Sequence, residues 1–211
     1  MIYVCAGMYR SGSTWLYNAV RLILRDAKVP DLEAGWITDK EKLLNHKNSV
    51  IKTHNFEPDL ANRKALVLTS HRDLRDIAGS LVRKFKSELP IKQLHETVES
   101  HAQWAPIAVY DLRYEDLLTD KPAQLRNLAQ ALQLPAATRA QLSYESISEA
   151  IDKEQFAEGR ATSQRYDPVN LLHEGHITDG RHGSWKDTLP PQVVTTIEQE
   201  FGPWLAARNY I

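Results

Sequence analysis

The stretch AGMYRSGSTWL, residues 6–16, follows the apolar run IYVCAG at residues 2–7 and precedes an apolar helix pattern. A buried strand, a glycine-bearing loop and a helix in this order place backbone N–H groups and a helix N-terminus against an anion. The loop has the glycine spacing of a phosphate loop, but Ser13 stands where the usual lysine would be, and the nearest cation is Arg10. The stretch therefore predicts an anion site that departs from the strict triphosphate motif.

Short apolar runs alternate with helix patterns along the rest of the chain. This alternation predicts an α/β fold, a single domain over residues 1–211, with a mostly parallel central sheet flanked by helices and right-handed crossovers. Further strands are predicted at residues 49–54 and 64–73 and within 106–117. Helices are predicted at residues 14–27, 74–85 and 121–134, in short pieces from 135 to about 155, and from 192 to 209. The polar segment 159–186 is predicted to be a functional or mobile loop.

The composition limits the classes of partner. Lysine and arginine number 26 against 27 acidic residues, so no global field favours nucleic acid or an anionic membrane. The single cysteine, Cys5, cannot form an internal disulfide, which favours a reducing compartment. No leader-like N-terminus is recognised, and no apolar run reaches the ~20 residues of a membrane helix. We therefore expect a cytoplasmic protein without a membrane span.

Polar residues follow each predicted strand directly. They lie at 10–14, 52–54, 71–73 and 114–116. Ligands of open parallel sheets bind at the carboxyl ends of the strands, so we expect these four segments to face one crevice.

Three of the polar segments allow a catalytic or binding interpretation beside a structural one. His54 could take a proton from a hydroxyl, with Lys52 neutralising charge on a transferred group. Arg72 and Ser80, two helical turns apart, could grip a second phosphate, although Arg72 could equally pair with an aspartate. The loop 10–14 could be no more than a good helix cap.

The segment GRHGSWK, residues 180–186, suits a flexible flap over an anion, because it has two glycines, two firm cations and an aromatic ring. A plain surface loop with Trp185 tucked into the core is the alternative. His71, His173 and His176 have no ligand-spaced acid or thiol partners in the sequence, so no metal site is predicted.

Taken together, five segments resemble the motifs of the sulfotransferases that use 3′-phosphoadenosine 5′-phosphosulfate (PAPS). YRSGSTWL is similar to the 5′-phosphosulfate loop, IKTH to the segment with the catalytic histidine, and HRDLRDIAGSL to the 3′-phosphate segment. RYEDL resembles the strand end whose tyrosine contacts adenine, and GRHGSWKD the C-terminal flap. The segments occur in family order between residues 7 and 187.

The resemblance implies a P-loop-kinase-like topology and a role for each matching residue. His54 would be the base, with Lys52 and Arg10 as catalytic cations, Arg10 replacing the family's lysine. The nucleotide would be bound by the residues that match the loop, the helix, the tyrosine strand and the flap: Arg10, Ser11, Gly12, Ser13, Thr14, Trp15, Arg72, Ser80, Tyr114, Gly180, Arg181, His182, Gly183 and Lys186. Trp15 would stack on adenine.

The implied reaction is sulfuryl transfer from PAPS as co-substrate to a hydroxyl, or less readily an amine, of a small-molecule acceptor, without a metal. Two alternatives stay open. One is a P-loop kinase acting on a small molecule, with Asp73 as the magnesium-holding acid. The other is a non-catalytic nucleotide-binding module. The acceptor and the oligomeric state are not indicated by the sequence.

Overall fold

The central sheet is parallel throughout the part of the chain described by the computed structural model, which covers residues 1–85, 91–157, 159, 161–162, 166–176 and 179–211. Its strands lie in the order β2–β3–β1–β4–β5, which agrees with the predicted fold class. They are Ile2–Cys5 (β1), Leu32–Trp36 (β2), Asn48–Lys52 (β3), Ala65–His71 (β4) and Ala108–Arg113 (β5).

Helices connect the strands and cover the sheet. They are Ser13–Asp26 (α1), Lys40–Leu43 (α2), Pro58–Ala61 (α3), Leu74–Phe85 (α4), Ile91–Trp104 (α5), Tyr114–Thr119 (α6), Lys121–Ala131 (α7), Ala136–Gln141 (α8), Tyr144–Lys153 (α9), Trp185–Thr188 (α10) and Pro191–Ala207 (α11). None of the described helices combines the length and apolar character that a membrane crossing requires.

The alternation of side chains along the strands divides the core between the two faces of the sheet. Cys5 of β1 and Leu68 of β4 pack with the residues of α1, α7 and α9 on one face. Their neighbours Val4 and Val67 pack on the other face with Trp104 of α5. Strands buried on both sides explain why these segments read as continuous apolar runs.

The sequence predicted neither the strand β2 nor the helices α2, α3, α5, α6 and α10. The edge strand β2 has the sequence LEAGW, whose alanine, glycine and glutamate are poor strand formers, and it pairs only with β3. The predicted fourth strand corresponds to Ala108–Arg113, and Tyr114, which was predicted to follow it, is the first residue of helix α6.

Candidate active site

The loop between β1 and α1 is held against β4 by backbone and side-chain hydrogen bonds. The Ala6 and Met8 amides donate to the carbonyls of Leu68 and Ser70 at 2.8 and 2.9 Å. Gly7 has no room for a side chain, because an added Cβ would lie 2.1 Å from Ser70 Oγ. The loop reaches the helix through left-handed backbone at Arg10 (φ 68°) and Gly12 (φ 79°). The first N–H groups of α1 are thereby presented at the carboxyl end of the sheet.

Two arginines from different parts of the chain, Arg10 and Arg72, form an arginine cluster at this helix terminus. Arg10 Nε donates to Ser80 Oγ at 2.9 Å, across 70 residues of sequence. Arg72 is buried, its guanidinium lies over the Tyr114 ring with its carbon 4.2 Å from the centroid, and its Nη1 reaches the Arg10 carbonyl at 3.4 Å. Burial lowers the pKa of Arg10, and the charge of Arg72 lowers it further. Buried like charges of this kind favour an anion between them.

Lys52 is the last residue of β3, and His54 follows it in the turn after the strand. His54 Nδ1 lies 2.8 Å from the Gly7 carbonyl, which can only accept, so Nδ1 carries the proton and Nε2 has a free lone pair. Burial and the charge of Lys52 lower the pKa of His54 to about 3, so the imidazole is neutral near pH 7. A neutral imidazole with a fixed tautomer is a competent proton acceptor.

Lys52 is 4% exposed and has no hydrogen-bond acceptor or carboxylate partner among the residues that the structure describes. Its Nζ lies 4.8 Å from the centroid of the Trp36 ring. Burial lowers the pKa of Lys52 from 10.5 to about 7. A buried ammonium without a counter-charge is strongly stabilised when an anion binds beside it.

The flap, residues 180–186, lies across the arginines and is bonded to α4 and α6. Tyr114 Oη donates to the Gly180 carbonyl at 2.8 Å, and Arg72 Nη2 donates to the Arg181 carbonyl at 2.7 Å. The fully buried Asp76 carboxylate accepts from the Gly183 amide at 2.8 Å. The flap thus closes over the arginine cluster instead of extending into solvent.

A cavity of about 1440 Å³ joins these groups. Its wall includes Tyr9 and Trp36, which both lie beside His54, and it also includes Trp15 and Ile151 of helix α9. Its volume exceeds that of most single-ligand pockets, so it has room for a nucleotide and a second small molecule.

Solved structures with this architecture include retinol dehydratase in a complex with retinol and PAP, with a TM-score of 0.60, 19% identity, and coverage of 97% of this chain and 80% of that one. Retinol dehydratase with androsterone and the inactive cofactor PAP gives a TM-score of 0.61 at 19% identity, with coverage of 97% and 80%. Mouse sulfotransferase SULT7A1 complexed with PAP gives 0.64 at 14% identity, with coverage of 97% and 83%.

The chain has the fold of these proteins. No protein-family model and no curated protein matches it by sequence.

Most of the residues singled out in the sequence line the one cavity. They are Arg10, Gly12, Ser13, Thr14, Trp15, Lys52, His54, Arg72, Ser80, Tyr114, Gly180, Arg181 and His182. The expected convergence of four segments at the carboxyl ends of the strands is therefore seen, and the flap joins them.

Three of the residues predicted to bind the nucleotide, Ser11, Gly183 and Lys186, do not line this cavity. Ser11 is fully buried beneath the loop, where its Oγ bonds to the Met8 carbonyl at 2.7 Å and to Ser70 Oγ at 2.7 Å. Gly183 is bonded through its amide to Asp76, and Lys186 is exposed beside Trp185. Ser11 and Gly183 therefore shape the loop and the flap.

Arg181 lines the cavity, but its charge is already balanced. Its Nε and Nη2 donate to the two carboxylate oxygens of Asp179 at 2.7 and 3.0 Å. The contact that Arg181 makes toward the arginine cluster is through its carbonyl, which accepts from Arg72.

Several residues of the site were not predicted. Trp36 comes from the missed strand β2, and Tyr9 approaches His54 edge-on at 5.1 Å between ring centroids. Helix α5 fixes the turn after β3, since Ser100 Oγ donates to the His54 carbonyl at 2.7 Å and Trp104 Nε1 to the Asn55 carbonyl at 3.1 Å. Neither contact leaves a signal in local sequence patterns.

Asp73, the acid that a kinase would need for magnesium, is 1% exposed and forms an ion pair with Arg75 at the start of α4. Its oxygens accept from the Arg75 amide at 2.9 Å, from Nε at 3.0 Å and from Nη2 at 2.7 Å. A carboxylate bonded in this way has little capacity left for a cation.

His71 joins His101 and Asp111 in a cluster outside the described cavity wall, a grouping that the sequence did not predict. Arg208 donates to His101 Nδ1 at 3.2 Å, so His101 carries its proton on Nε2 and donates it to Asp111 Oδ1 at 3.2 Å. Thr69 also donates to that oxygen, at 2.9 Å. His71 Nδ1 lies 3.0 Å from the same Asp111 oxygen without making a hydrogen bond to it. The cluster connects β4, β5 and α5 to the C-terminal segment.

Proposed function

We propose that the chain is a PAPS-dependent sulfotransferase, an enzyme that moves a sulfuryl group to a hydroxyl of a small organic acceptor. The observation that carries the proposal is the placement of His54, with a free Nε2 lone pair, on the same cavity as the arginine cluster. The fold shared with PAP-bound proteins supports it. The unit proposed to act is the single domain of residues 1–211.

The residues present fit a nucleotide with two phosphate groups. Arg72 Nε is buried and has no hydrogen-bond partner among the described residues, although the guanidinium is otherwise bonded. Together with Ser80, Arg72 would hold the 3′-phosphate, and Arg10 with the N–H groups of Ser13 and Thr14 would hold the 5′ end. Trp15, which also lines the cavity, would stack on the adenine.

When bound, PAPS would supply the sulfuryl group and leave as PAP, the 3′,5′-bisphosphate. His54 Nε2 would take the proton of the acceptor hydroxyl as that oxygen attacks sulfur. Lys52 and Arg10 would balance the negative charge at the transferred group and at the departing phosphate. The proposal includes no metal, because these cations and the loop amides provide the counter-charge.

The acceptor would enter beside Tyr9 and Trp36, whose rings lie 5.1 and 5.3 Å from the His54 ring. We propose the cytoplasm as the compartment, because the one cysteine is a buried free thiol.

The test is turnover of labelled PAPS with a panel of phenols and alcohols by the wild-type chain and by H54A. Loss of the base should lower kcat by about 10²–10⁴-fold. PAP affinity, measured by calorimetry, should stay close to that of the wild-type chain. H95A is the matched control, because the His95 side chain is 53% exposed and pairs with Glu200.

H54A turnover within a few-fold of wild type would refute the base assignment. Binding of ATP with magnesium but not of PAP by the wild-type chain would favour the kinase instead.

A further inference from the structure

Asp76 is a fully buried carboxylate on α4 whose hydrogen bonds come from the flap. Oδ2 accepts from the Gly183 amide at 2.8 Å, and Oδ1 accepts from the Trp185 amide at 3.0 Å and from Ser184 Oγ at 3.2 Å. A buried carboxylate requires such donors, since an unpaired buried charge is strongly unfavourable. The flap in its closed position therefore satisfies Asp76.

Arg72 lies four residues before Asp76, just ahead of helix α4, yet the two do not form a close ion pair. Arg72 Nη2 is 4.0 Å from Asp76 Oδ2, whereas a hydrogen-bonded pair has about 2.7–2.9 Å. Nη2 instead donates to the Arg181 carbonyl of the flap at 2.7 Å, and Nε has no partner among the described residues. The flap thus bonds to both residues and keeps them apart.

Opening of the flap would remove these donors and the Arg181 carbonyl at the same time. Asp76 would then be a buried carboxylate with the Arg72 guanidinium 4.0 Å away, four residues earlier in the chain. Closing the ion pair would satisfy both groups, but it would turn Arg72 away from a ligand. The same two residues therefore have two alternative sets of partners.

We propose that Asp76 is a positioning residue that couples closure of the flap to the availability of Arg72 for a ligand phosphate. The inference rests on the proposed function in taking that phosphate to be the 3′-phosphate of the nucleotide. With the flap closed, Asp76 bonds to flap amides and Arg72 faces the ligand. With the flap open, Asp76 captures Arg72 and the phosphate site is lost.

The experiment compares wild type, D76N and the control D187N, because the Asp187 side chain follows the flap and is 71% exposed. Calorimetry measures Kd for PAP and for AMP, which lacks the 3′-phosphate. Asparagine cannot accept from all three flap donors, so D76N should bind PAP about 10–100-fold more weakly, the loss expected for hydrogen bonds to a charged group. AMP affinity should stay within about twofold, and D187N should match wild type.

Hydrogen exchange of the ligand-free proteins gives a second readout. In D76N the flap amides should exchange at least about tenfold faster than in wild type, while β4 stays protected. S184A removes one donor and leaves Asp76 charged, so it should weaken PAP binding in the same direction by a smaller factor. It also keeps the proposal testable if D76N does not fold.

A purely electrostatic effect of Asp76 would give the opposite sign, because removing a negative charge 4.0 Å from Arg72 would tighten PAP binding. Tighter or unchanged PAP binding by D76N, or an equal loss for PAP and AMP, would overturn the role of Asp76. A wild-type chain that binds no PAP would instead refute the proposed function.

Discussion

Replacing Lys52 by methionine should make the protein more stable while removing a cation from the proposed active site. Lys52 is 4% exposed, and burial lowers its pKa from 10.5 to about 7. At 1.36 kcal/mol for each tenfold change in proton affinity, keeping the folded side chain charged costs on the order of 5 kcal/mol. The Trp36 ring, 4.8 Å from Nζ, offsets about 1–2 kcal/mol of that cost. K52M should therefore gain about 3 kcal/mol at pH 6.

The gain should depend on pH in a defined direction. The folded pKa of Lys52 is below the unfolded value, so the unfolded chain binds more protons between about pH 7 and 10.5. Wild-type stability from this group rises with pH across that window. The advantage of K52M should accordingly shrink to about 1 kcal/mol at pH 10.

Urea unfolding followed by tryptophan fluorescence at pH 6, 8 and 10 measures these differences. K92M is the matched control, since the Lys92 side chain is 90% exposed and should leave the midpoint unchanged. Two results would contradict this reasoning: K52M no more stable than wild type at pH 6, or a stability difference that does not narrow as pH rises. Either would show that burying the Lys52 ammonium does not destabilise the folded protein. K52M should also have little sulfuryl-transfer activity.

Two further predictions concern the loop and the base. G7A should lower the free energy of unfolding by about 2 kcal/mol or more, because its Cβ would meet Ser70 Oγ at 2.1 Å. G202A is the control: a Cβ added there, in helix α11, has no atom within 4 Å. It should be neutral or stabilising by up to about 1 kcal/mol. Equal urea midpoints for these two variants would contradict the close approach of loop and strand. The pKa of His54, about 3 in the free protein, should rise when PAP binds, because an anion near Lys52 and His54 favours the protonated imidazole. An NMR titration of the imidazole with and without PAP checks this, and an unchanged pKa would place the anion elsewhere.

The strands that could be predicted from the sequence are those with strong apolar runs. β1 and β4 contain the buried apolar runs IYVC and ALVL, and β3 contains the buried pair Val50 and Ile51. The helix pattern at 74–85 coincides with α4. LEAGW had no such signal, because an edge strand pairs on one side and tolerates poor strand formers. Because β2 was not predicted, Trp36 at its end was also missing from the predicted site.

The functional residues divide in a similar way. The spacing put Ser80 two helical turns after Arg72, and the positions of His54 and Arg10 after predicted strands put both at one crevice. The bond from Arg10 to Ser80 joins residues 70 positions apart, and the flap contacts of Asp76 span more than 100 positions. Local periodicity cannot predict such pairs.

The sequence by itself determined the alternating α/β order, the glycine-bearing loop before α1, and the cations and histidine at the strand ends. These features follow from hydrophobic period and from residue type. Only the tertiary structure decided which polar side chains face the cavity and which form hydrogen bonds that hold the fold together. Ser11 turned inward to hold the loop, Arg181 paired with Asp179, and Asp76 bonded to the flap. The physical reason is that burial and hydrogen-bond partners, which set charge and proton affinity, come from residues distant in the chain.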